Sequence, residues 1–183
     1  MSAIDYTHKR RRDFVIDDPA LVLAIRNRVE RRIVPELQKA FQFAATRLER
    51  YIVSCYDAGE GGYFHRHRDN TTKGTAHRRF AITINLNVGE YAGGELCFPE
   101  FGLRRYRAET GGAIVFSCSL LHEALPVTQG RRYCVLPFLY DEAAARIRQA
   151  NLEYLADERL RENVRATMGA VEPQSNGKTE DGR

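Results

Sequence analysis

Between Leu48 and Tyr140, apolar and polar residues alternate at a period of two, and glycine-rich turns interrupt the alternation at short intervals. The clearest alternating segment is Phe80 to Asn87, which has one apolar face and one face that is polar but uncharged. The apolar face, which we expect to be packed, consists of Ile82, Ile84 and Leu86; the other consists of Ala81, Thr83, Asn85 and Asn87. A stretch of this kind is typical of a β-sandwich or β-barrel.

The segments that flank residues 48–140 have a helical period instead. Asp18-Pro19 is a typical helix start, and we expect two helices over residues 18–47 that are separated at Pro35. A third helix is expected over residues 141–168. Residues 1–17 read as a basic arm and lead-in, and residues 169–183 as a disordered tail. The predicted fold class is therefore mainly β with flanking α-helices, in one domain over residues 18–168.

Length and composition limit the class of protein to which this domain can belong. The chain has 183 residues, which suits a single domain, and it contains no apolar run of the roughly 18 to 20 residues that a membrane span needs. We expect a soluble, cytoplasmic protein without a membrane partner. The net charge is +4, but the basic residues are spread along the chain, which argues against nucleic acid as a partner. The four cysteines form no CxxC pair and are expected to be buried thiols.

The residues that carry chemistry are concentrated in the segment Tyr63 to Asp69. If this segment is extended, one face carries Tyr63, His65, His67 and Asp69. His67 and Asp69 would then offer two metal ligands from one strand. His122 follows the apolar strand Ala113 to Cys118 and supplies a third ligand. Two histidines and one carboxylate form the facial triad that binds iron(II) and leaves sites open for substrate and O₂.

His65 and His67 offer an alternative, because an HxH pair suits a cupin-like or zinc site. In that case Asp69, two residues after His67, would be an energetically costly anion without a role. The sequence therefore favours His67 and Asp69 as the ligand pair, with His65 at the rim of the site.

An arginine is expected inside an otherwise apolar strand that includes the run Tyr133 to Tyr140. Arg131 and Arg132 precede its apolar residues directly, and a guanidinium buried there needs an anionic partner. A dicarboxylate cosubstrate would provide one. A register slip of one residue exchanges the faces of the two arginines, so both remain candidates.

These residues resemble the iron(II)/2-oxoglutarate-dependent oxygenases, and specifically their prolyl 4-hydroxylase-like branch. The resemblance covers residues 50 to 140 and rests on Tyr56, Tyr63, His67-Arg68-Asp69, Asn85-Leu86-Asn87, Gly93-Gly94-Glu95-Leu96, Phe98-Pro99, His122, Pro126-Val127 and Gly130-Arg131-Arg132. It implies a double-stranded β-helix, or jelly-roll, core in which His67, Asp69 and His122 bind Fe(II). It also implies that Arg132, or failing that Arg131, holds the distal carboxylate of 2-oxoglutarate.

The same resemblance implies the remaining site residues and cofactors. Tyr56 and Tyr63 would border cosubstrate and substrate. Asn85, together with Thr83, would take the place of a tyrosine that contacts the cosubstrate carboxylate in some relatives. The implied cofactors are Fe(II), 2-oxoglutarate and O₂, with ascorbate as a candidate reductant.

The implied activity is hydroxylation of an unactivated C–H bond, in a prolyl or other residue of a protein or peptide. The alternatives are a small-molecule or free amino-acid hydroxylase of the same fold, and a non-catalytic sensor that binds metal and 2-oxoglutarate. Demethylation of nucleic acid ranks below these, because the second arginine typical of DNA dealkylation enzymes is replaced by Pro137-Phe138-Leu139. The run Lys9 to Arg12 could form a nucleic-acid-binding arm, but a solvated charge run is the simpler interpretation. No oligomeric state follows from the sequence.

Overall fold

The computed structural model describes residues 8–152. Within this range the chain forms thirteen strands and three α-helices. The strands are β1 (Lys9–Arg10), β2 (Arg12–Val15), β3 (Arg47–Glu49), β4 (Ile52–Asp57), β5 (Tyr63–His67), β6 (Phe80–Asn85), β7 (Tyr91–Gly93), β8 (Leu96–Cys97), β9 (Arg105–Tyr106), β10 (Ala113–Ser117), β11 (His122–Ala124), β12 (Val127–Val135) and β13 (Phe138–Tyr140). The helices are α1 (Pro19–Arg32), α2 (Val34–Phe41) and α3 (Glu142–Ala150).

The strands form two antiparallel sheets that pack face to face. One sheet has the order β1-β5-β11-β8-β9, and the other has the order β2-β4-β12-β6-β13-β3, with β10 also paired to β6. The first part of β12 pairs with β7 and the second part with β4 and β6. Leu96 of the first sheet packs against Ala81, Phe116 and Phe138 of the second, which closes the core. The prediction of a mainly β fold with a jelly-roll core is therefore confirmed.

Strand β6 separates two environments. Ile82 packs with Val29 and Leu37 of the outer helices, as its apolar face predicts. Thr83 lies on the opposite face and lines the space between the sheets. The expectation that Leu86 is packed is wrong: the strand ends one residue earlier, and Leu86 is 40% exposed.

The helix boundaries differ from the sequence prediction at their C-terminal ends. Helix α1 begins as predicted, with the Asp18 carboxylate accepting a hydrogen bond from the backbone N–H of Ala20 at 2.9 Å. Helix α2 ends at Phe41 rather than near residue 47, because Gln42 adopts a left-handed conformation with φ 52° and the chain then leads into β3. Helix α3 ends at Ala150. The expected continuation over residues 153–168 and the expected tail over 169–183 lie outside the described residues.

No helix within residues 8–152 is both long and apolar enough to cross a membrane. The four cysteines are all buried thiols.

Residues 9–15 form a segment that we call the N-terminal strap. Its first strand, β1, pairs with β5 at the edge of one sheet, and its second strand, β2, pairs with β4 at the edge of the other. Arg12 forms an ion pair with Asp57 at 3.3 Å. Part of the expected basic lead-in is therefore built into both sheets, and Arg11 lies at the point where the strap crosses between them.

Candidate active site

His67, Asp69 and His122 meet at one end of the space between the sheets. His67 is the last residue of β5 and pairs in register with His122, the first residue of β11. Asp69 follows two residues later, and its backbone N–H donates to the carbonyl of Cys118 at 3.0 Å. The Nε2 atoms of His67 and His122 lie 3.5 and 3.4 Å from the two carboxylate oxygens of Asp69. The three potential ligand atoms all lie within 4.8 Å of one another, which is the arrangement of a metal site.

The backbone fixes which nitrogen each histidine can offer to a metal. Nδ1 of His67 lies 2.6 Å from the carbonyl oxygen of His65, and Nδ1 of His122 lies 3.0 Å from that of Leu120. A carbonyl oxygen only accepts, so both Nδ1 atoms must carry a proton and donate it. Each Nε2 atom, which faces Asp69, is therefore the nitrogen left to bind a metal. This donor set fits a divalent iron ion, because metal-binding histidines are usually oriented by such a bond from their other nitrogen.

The ionisation of Asp69 and of His122 also suits metal binding. Burial raises the pKa of the Asp69 carboxyl, but His67 and His122 lower it more strongly, so its pKa lies below the ordinary value and the carboxylate is ionised. Burial lowers the pKa of His122, which favours the neutral imidazole. The Phe64 ring stacks on His67 with 3.6 Å between centroids, and Phe116 packs against His122 at 4.6 Å. These contacts hold both imidazoles in place.

Arg132 projects from β12 into the same pocket. Arg132 is only 5% exposed. Its Nη2 donates to the Thr83 hydroxyl at 3.0 Å and to the Asn85 side-chain oxygen at 3.2 Å. Among residues 8–152, no Asp or Glu forms an ion pair with it. A Cβ at Gly94, whose φ is +71°, would lie only 3.0 Å from the Arg132 Cδ, so this glycine makes room for the side chain. A buried cation without an anion fits the binding of an external carboxylate.

Arg131 has a different environment. It lies on the outer face of β12, where its side chain is 60% exposed and its Nε donates to Asp57 at 2.6 Å. Of the two candidate arginines, only Arg132 lines the pocket.

The other residues named from the sequence occupy three kinds of position. Tyr56 is buried and lines the pocket, with its ring 5.2 Å from the Arg132 Cζ. Thr83 also lines the pocket. Asn85 lies outside the pocket lining: it accepts from Arg132 and donates to the carbonyl of Ala108 at 2.8 Å, so it positions the arginine rather than facing the pocket. Tyr63 also lies outside the lining, where its ring packs on the exposed His65 at 4.2 Å.

The sequence interpretation missed two arginines of the pocket, Arg11 and Arg50. Arg11 reaches in from the N-terminal strap and donates to the Tyr56 hydroxyl at 3.0 Å. Arg50 precedes β4 and has a positive φ of 66°. The spacing of Arg11 and Asp13, which puts them on one face of an extended segment, is the one sequence signal for either. It was obscured by the surrounding run of basic residues.

The jelly-roll fold and the side chains it gathers define a domain with a candidate metal site beside a buried cation that suits a carboxylate ligand. Comparison with known families makes this more specific: residues 51–140 match the sequence profile of the 2OG-Fe(II) oxygenase superfamily, and this segment belongs to that superfamily.

Curated relatives include two PKHD-type hydroxylases. The one from Nitrosomonas europaea is 26% identical over 147 residues, covering 73% of this chain and 64% of the relative. The one from Shewanella baltica is 30% identical over 145 residues, covering 75% of this chain and 62% of the relative. The match therefore spans less than two thirds of either relative.

Solved structures share the fold. A prolyl-4-hydroxylase from Pseudomonas putida superimposes with a TM-score of 0.58 at 19% identity, covering 75% of this chain and 76% of that one. A prolyl hydroxylase from Trichoplax adhaerens, solved with a peptide fragment of a hypoxia-inducible factor, gives a TM-score of 0.59 at 18% identity, covering 75% and 66%. At these identities the likeness establishes the jelly-roll fold of the prolyl-hydroxylase type.

Proposed function

We propose that this protein is a 2-oxoglutarate-dependent dioxygenase that hydroxylates an unactivated C–H bond. The observation that carries the proposal is one pocket that contains both the His67, Asp69 and His122 cluster and a buried arginine, Arg132, without an anionic partner among the described residues. A metal-binding protein without a 2-oxo acid would gain nothing from that arginine, because burying an unpaired charge is unfavourable.

The residues have separate tasks in this proposal. His67, Asp69 and His122 would hold Fe(II), which together with O₂ and 2-oxoglutarate supplies the oxidising chemistry. In the overall reaction, 2-oxoglutarate and O₂ become succinate and CO₂, and one oxygen atom enters the substrate C–H bond as hydroxyl. Arg132 would bind the distal carboxylate of 2-oxoglutarate, and Thr83 and Asn85 keep its guanidinium in position. We include ascorbate as a reductant on the strength of the family alone.

Tyr56 is suited to a second contact with the cosubstrate. Its hydroxyl accepts a hydrogen bond from Arg11, so the hydroxyl proton is available for a bond to a carboxylate oxygen. Apart from Arg50, the remaining wall of the pocket is apolar, which strengthens these charge-assisted contacts. It includes Phe64, Leu96, Phe116, Leu136 and Phe138.

For the substrate we propose a prolyl or other residue of a protein or peptide. The support is the kind of protein that shares the fold, including a prolyl hydroxylase solved with a peptide. A free amino acid or other small molecule is the alternative, since the same core can serve either.

The proposal is tested by adding Fe(II) and 2-oxoglutarate to the protein without oxygen. We expect a weak visible absorption band from the chelate, and succinate after air is admitted. His67→Ala is the control and should show neither. The absence of both signals in the wild-type protein would contradict the enzyme function, whereas a band without succinate in the presence of candidate peptides and amino acids would favour the non-catalytic sensor.

A further inference from the structure

Two arginines and one aspartate form a cluster on the pocket wall, separate from Arg132. Arg11 contacts Asp13 through two nitrogens, at 3.0 and 3.2 Å, and Arg50 contacts the same carboxylate at 3.2 Å. Ser54 donates a further hydrogen bond to Asp13 at 2.6 Å. Both arginines line the pocket. We call this group the Arg–Asp–Arg cluster.

The Arg–Asp–Arg cluster is one negative charge short of neutrality. It contains two guanidinium groups and one carboxylate, and the Arg11 side chain is only 3% exposed. Burial, together with the positive charges of Arg11 and Arg78, lowers the pKa of Arg50 to about 10. The pKa of Arg50 is lowered despite the opposing charges of Asp13 and Asp69, which indicates a positive charge that the protein does not fully compensate. At Arg11, in contrast, burial lowers the pKa but Tyr56 and Asp13 raise it more strongly.

Arg50 is the member of the cluster that remains open to a ligand. Arg11 already donates to Asp13 and to Tyr56. Arg50 donates only through Nη2, and no residue within 8–152 accepts a hydrogen bond from its Nε or Nη1. Its side chain is 26% exposed, and its backbone holds the left-handed conformation that non-glycine residues rarely adopt.

The position of Arg50 distinguishes it from the arginine assigned to 2-oxoglutarate. Arg132 lies opposite Tyr56, at the far end of β4, whereas Arg50 precedes Ile52 at its near end. Ile52 and Tyr56 are about 13 Å apart along the strand. The pocket therefore has two cationic positions, and 2-oxoglutarate at Arg132 would leave Arg50 available.

We propose that Arg50 binds a carboxylate group of the substrate to be hydroxylated. This inference rests on the proposed function and specifies its substrate class as anionic. The carboxylate could belong to a free amino acid or to an acidic side chain next to the reacting residue of a peptide. Both sources present the same chemistry to a guanidinium.

The test measures binding to the protein loaded with Mn(II) and 2-oxoglutarate, so that Arg132 is already occupied. Two matched probe pairs are titrated calorimetrically: L-proline against L-prolinamide, and an acetylated Pro-Glu dipeptide amide against its Pro-Gln counterpart. We expect one carboxylate probe to bind about tenfold more tightly than its amide partner. The pair that shows this difference identifies the source of the carboxylate.

Three variants complete the test. Arg50→Gln should reduce the preference to less than about twofold, and Arg50→Lys should retain part of it. Arg26→Gln removes an exposed arginine of helix α1 and should leave the preference unchanged. Should Arg50→Gln fail to fold, Arg50→Lys still tests the geometry, because it keeps the charge and loses the planar fork.

The outcomes separate this inference from the proposed function. Normal 2-oxoglutarate binding without any carboxylate preference in the wild-type protein, including no measurable binding of any probe, overturns the role of Arg50 alone. A preference that survives in Arg50→Gln also overturns it. Failure of the wild-type protein to bind 2-oxoglutarate would instead contradict the proposed function.

Discussion

Arg131 and Arg132 are neighbours in sequence and opposites in environment, since Arg131 pairs with Asp57 at the surface and Arg132 is buried in the pocket. Strand β12 alternates its faces with a period of two, so the register with β4 decides which arginine faces the interior. The sequence could narrow the choice to these two residues only. The decision depends on a partner strand about 75 residues away in the chain.

The first prediction concerns Arg132. Arg132→Gln should weaken 2-oxoglutarate binding to the Mn(II)-loaded protein about 50-fold, because a buried charge-assisted contact is lost. Isothermal titration measures the effect. Arg131→Gln is the matched control and should bind 2-oxoglutarate like the wild-type protein, and an equal loss in both variants would contradict the assignment.

The second prediction concerns Arg11 as a positioning residue that acts through Tyr56. Arg11→Gln should raise the KM for 2-oxoglutarate about tenfold with a much smaller change in kcat, because the Tyr56 hydroxyl loses the donor that orients it. Arg11→Lys should recover part of the loss. A fall in kcat with an unchanged KM would contradict this role, and Arg10→Gln, one residue earlier in the strap, is the control.

The metal ligands could be predicted from sequence because their geometry is local. A spacing of two brings together His67, at the end of β5, and Asp69, just beyond it, and His122 follows the apolar strand β10. Arg11 and Arg50 could not be found in this way. Their roles come from the shared contact with Asp13, and Arg50 lies 37 residues from it in sequence.

At the scale of elements, a buried charge cluster connects β3, the chain before β6, and helix α3. Glu49 of β3 is 7% exposed and contacts His77 at 3.0 Å, Arg78 at 2.8 Å and Arg148 of α3 at 2.7 Å. Burial raises the pKa of Glu49, but His77, Arg78 and Arg148 lower it more strongly, to about 2. The carboxylate therefore joins three parts of the fold.

The third prediction follows from that pKa. A carboxyl group whose pKa is lower in the folded than in the unfolded state stabilises the fold above the unfolded pKa of about 4.5, and this contribution is lost as the pH falls towards 2. The contribution is roughly 3 kcal/mol. Glu49→Gln should therefore be much less stable than wild type at pH 7, and the difference should narrow between pH 4.5 and 2. Urea unfolding at several pH values measures it.

The control for this prediction is Glu30→Gln, which removes an exposed carboxylate whose ion pair with Arg26 lies within helix α1. Surface pairs of this kind contribute little, so its stability should follow the wild type at every pH. A Glu49→Gln variant whose stability deficit is the same at pH 7 and pH 2 would contradict the proposed ionisation of Glu49.

Element type was predictable where the hydrophobic period is strong, as in β6 and in helix α1 with its Asp18 cap. The ends of the strands and helices were less predictable. The apolar run from Tyr133 to Tyr140 reads as one strand but forms the end of β12 and all of β13, which are separated at Leu136-Pro137. Proline cannot donate the next ladder hydrogen bond, so the chain leaves one pairing and begins another.

At the scale of the whole molecule, the N-terminal strap connects the edges of both sheets and brings Arg11 into the pocket. The period of residues 9–15 does not show which sheet edges the strap covers, because its position depends on those edges rather than on its own sequence. The basic character of these residues is consequently explained in part by ion pairs within the fold, such as that between Arg12 and Asp57.

The fourth prediction concerns the coupling of ligand binding to folding. Mn(II) and 2-oxoglutarate together, each at about 100 times its Kd, should raise the Tm by about 10 to 20 °C, because each ligand that binds only the folded state stabilises it by RT ln(1 + [L]/Kd). Differential scanning calorimetry measures the shift. Asp69→Ala should lose most of the shift, and a shift that persists in this variant would contradict the metal site.

A crystal structure of the protein grown with Mn(II) and 2-oxoglutarate tests the central claim most directly. We predict one metal ion bound by Nε2 of His67, Nε2 of His122 and a carboxylate oxygen of Asp69, with the distal carboxylate of 2-oxoglutarate on the Arg132 guanidinium. A metal bound elsewhere in the chain, or 2-oxoglutarate with its distal carboxylate away from Arg132, would contradict the account.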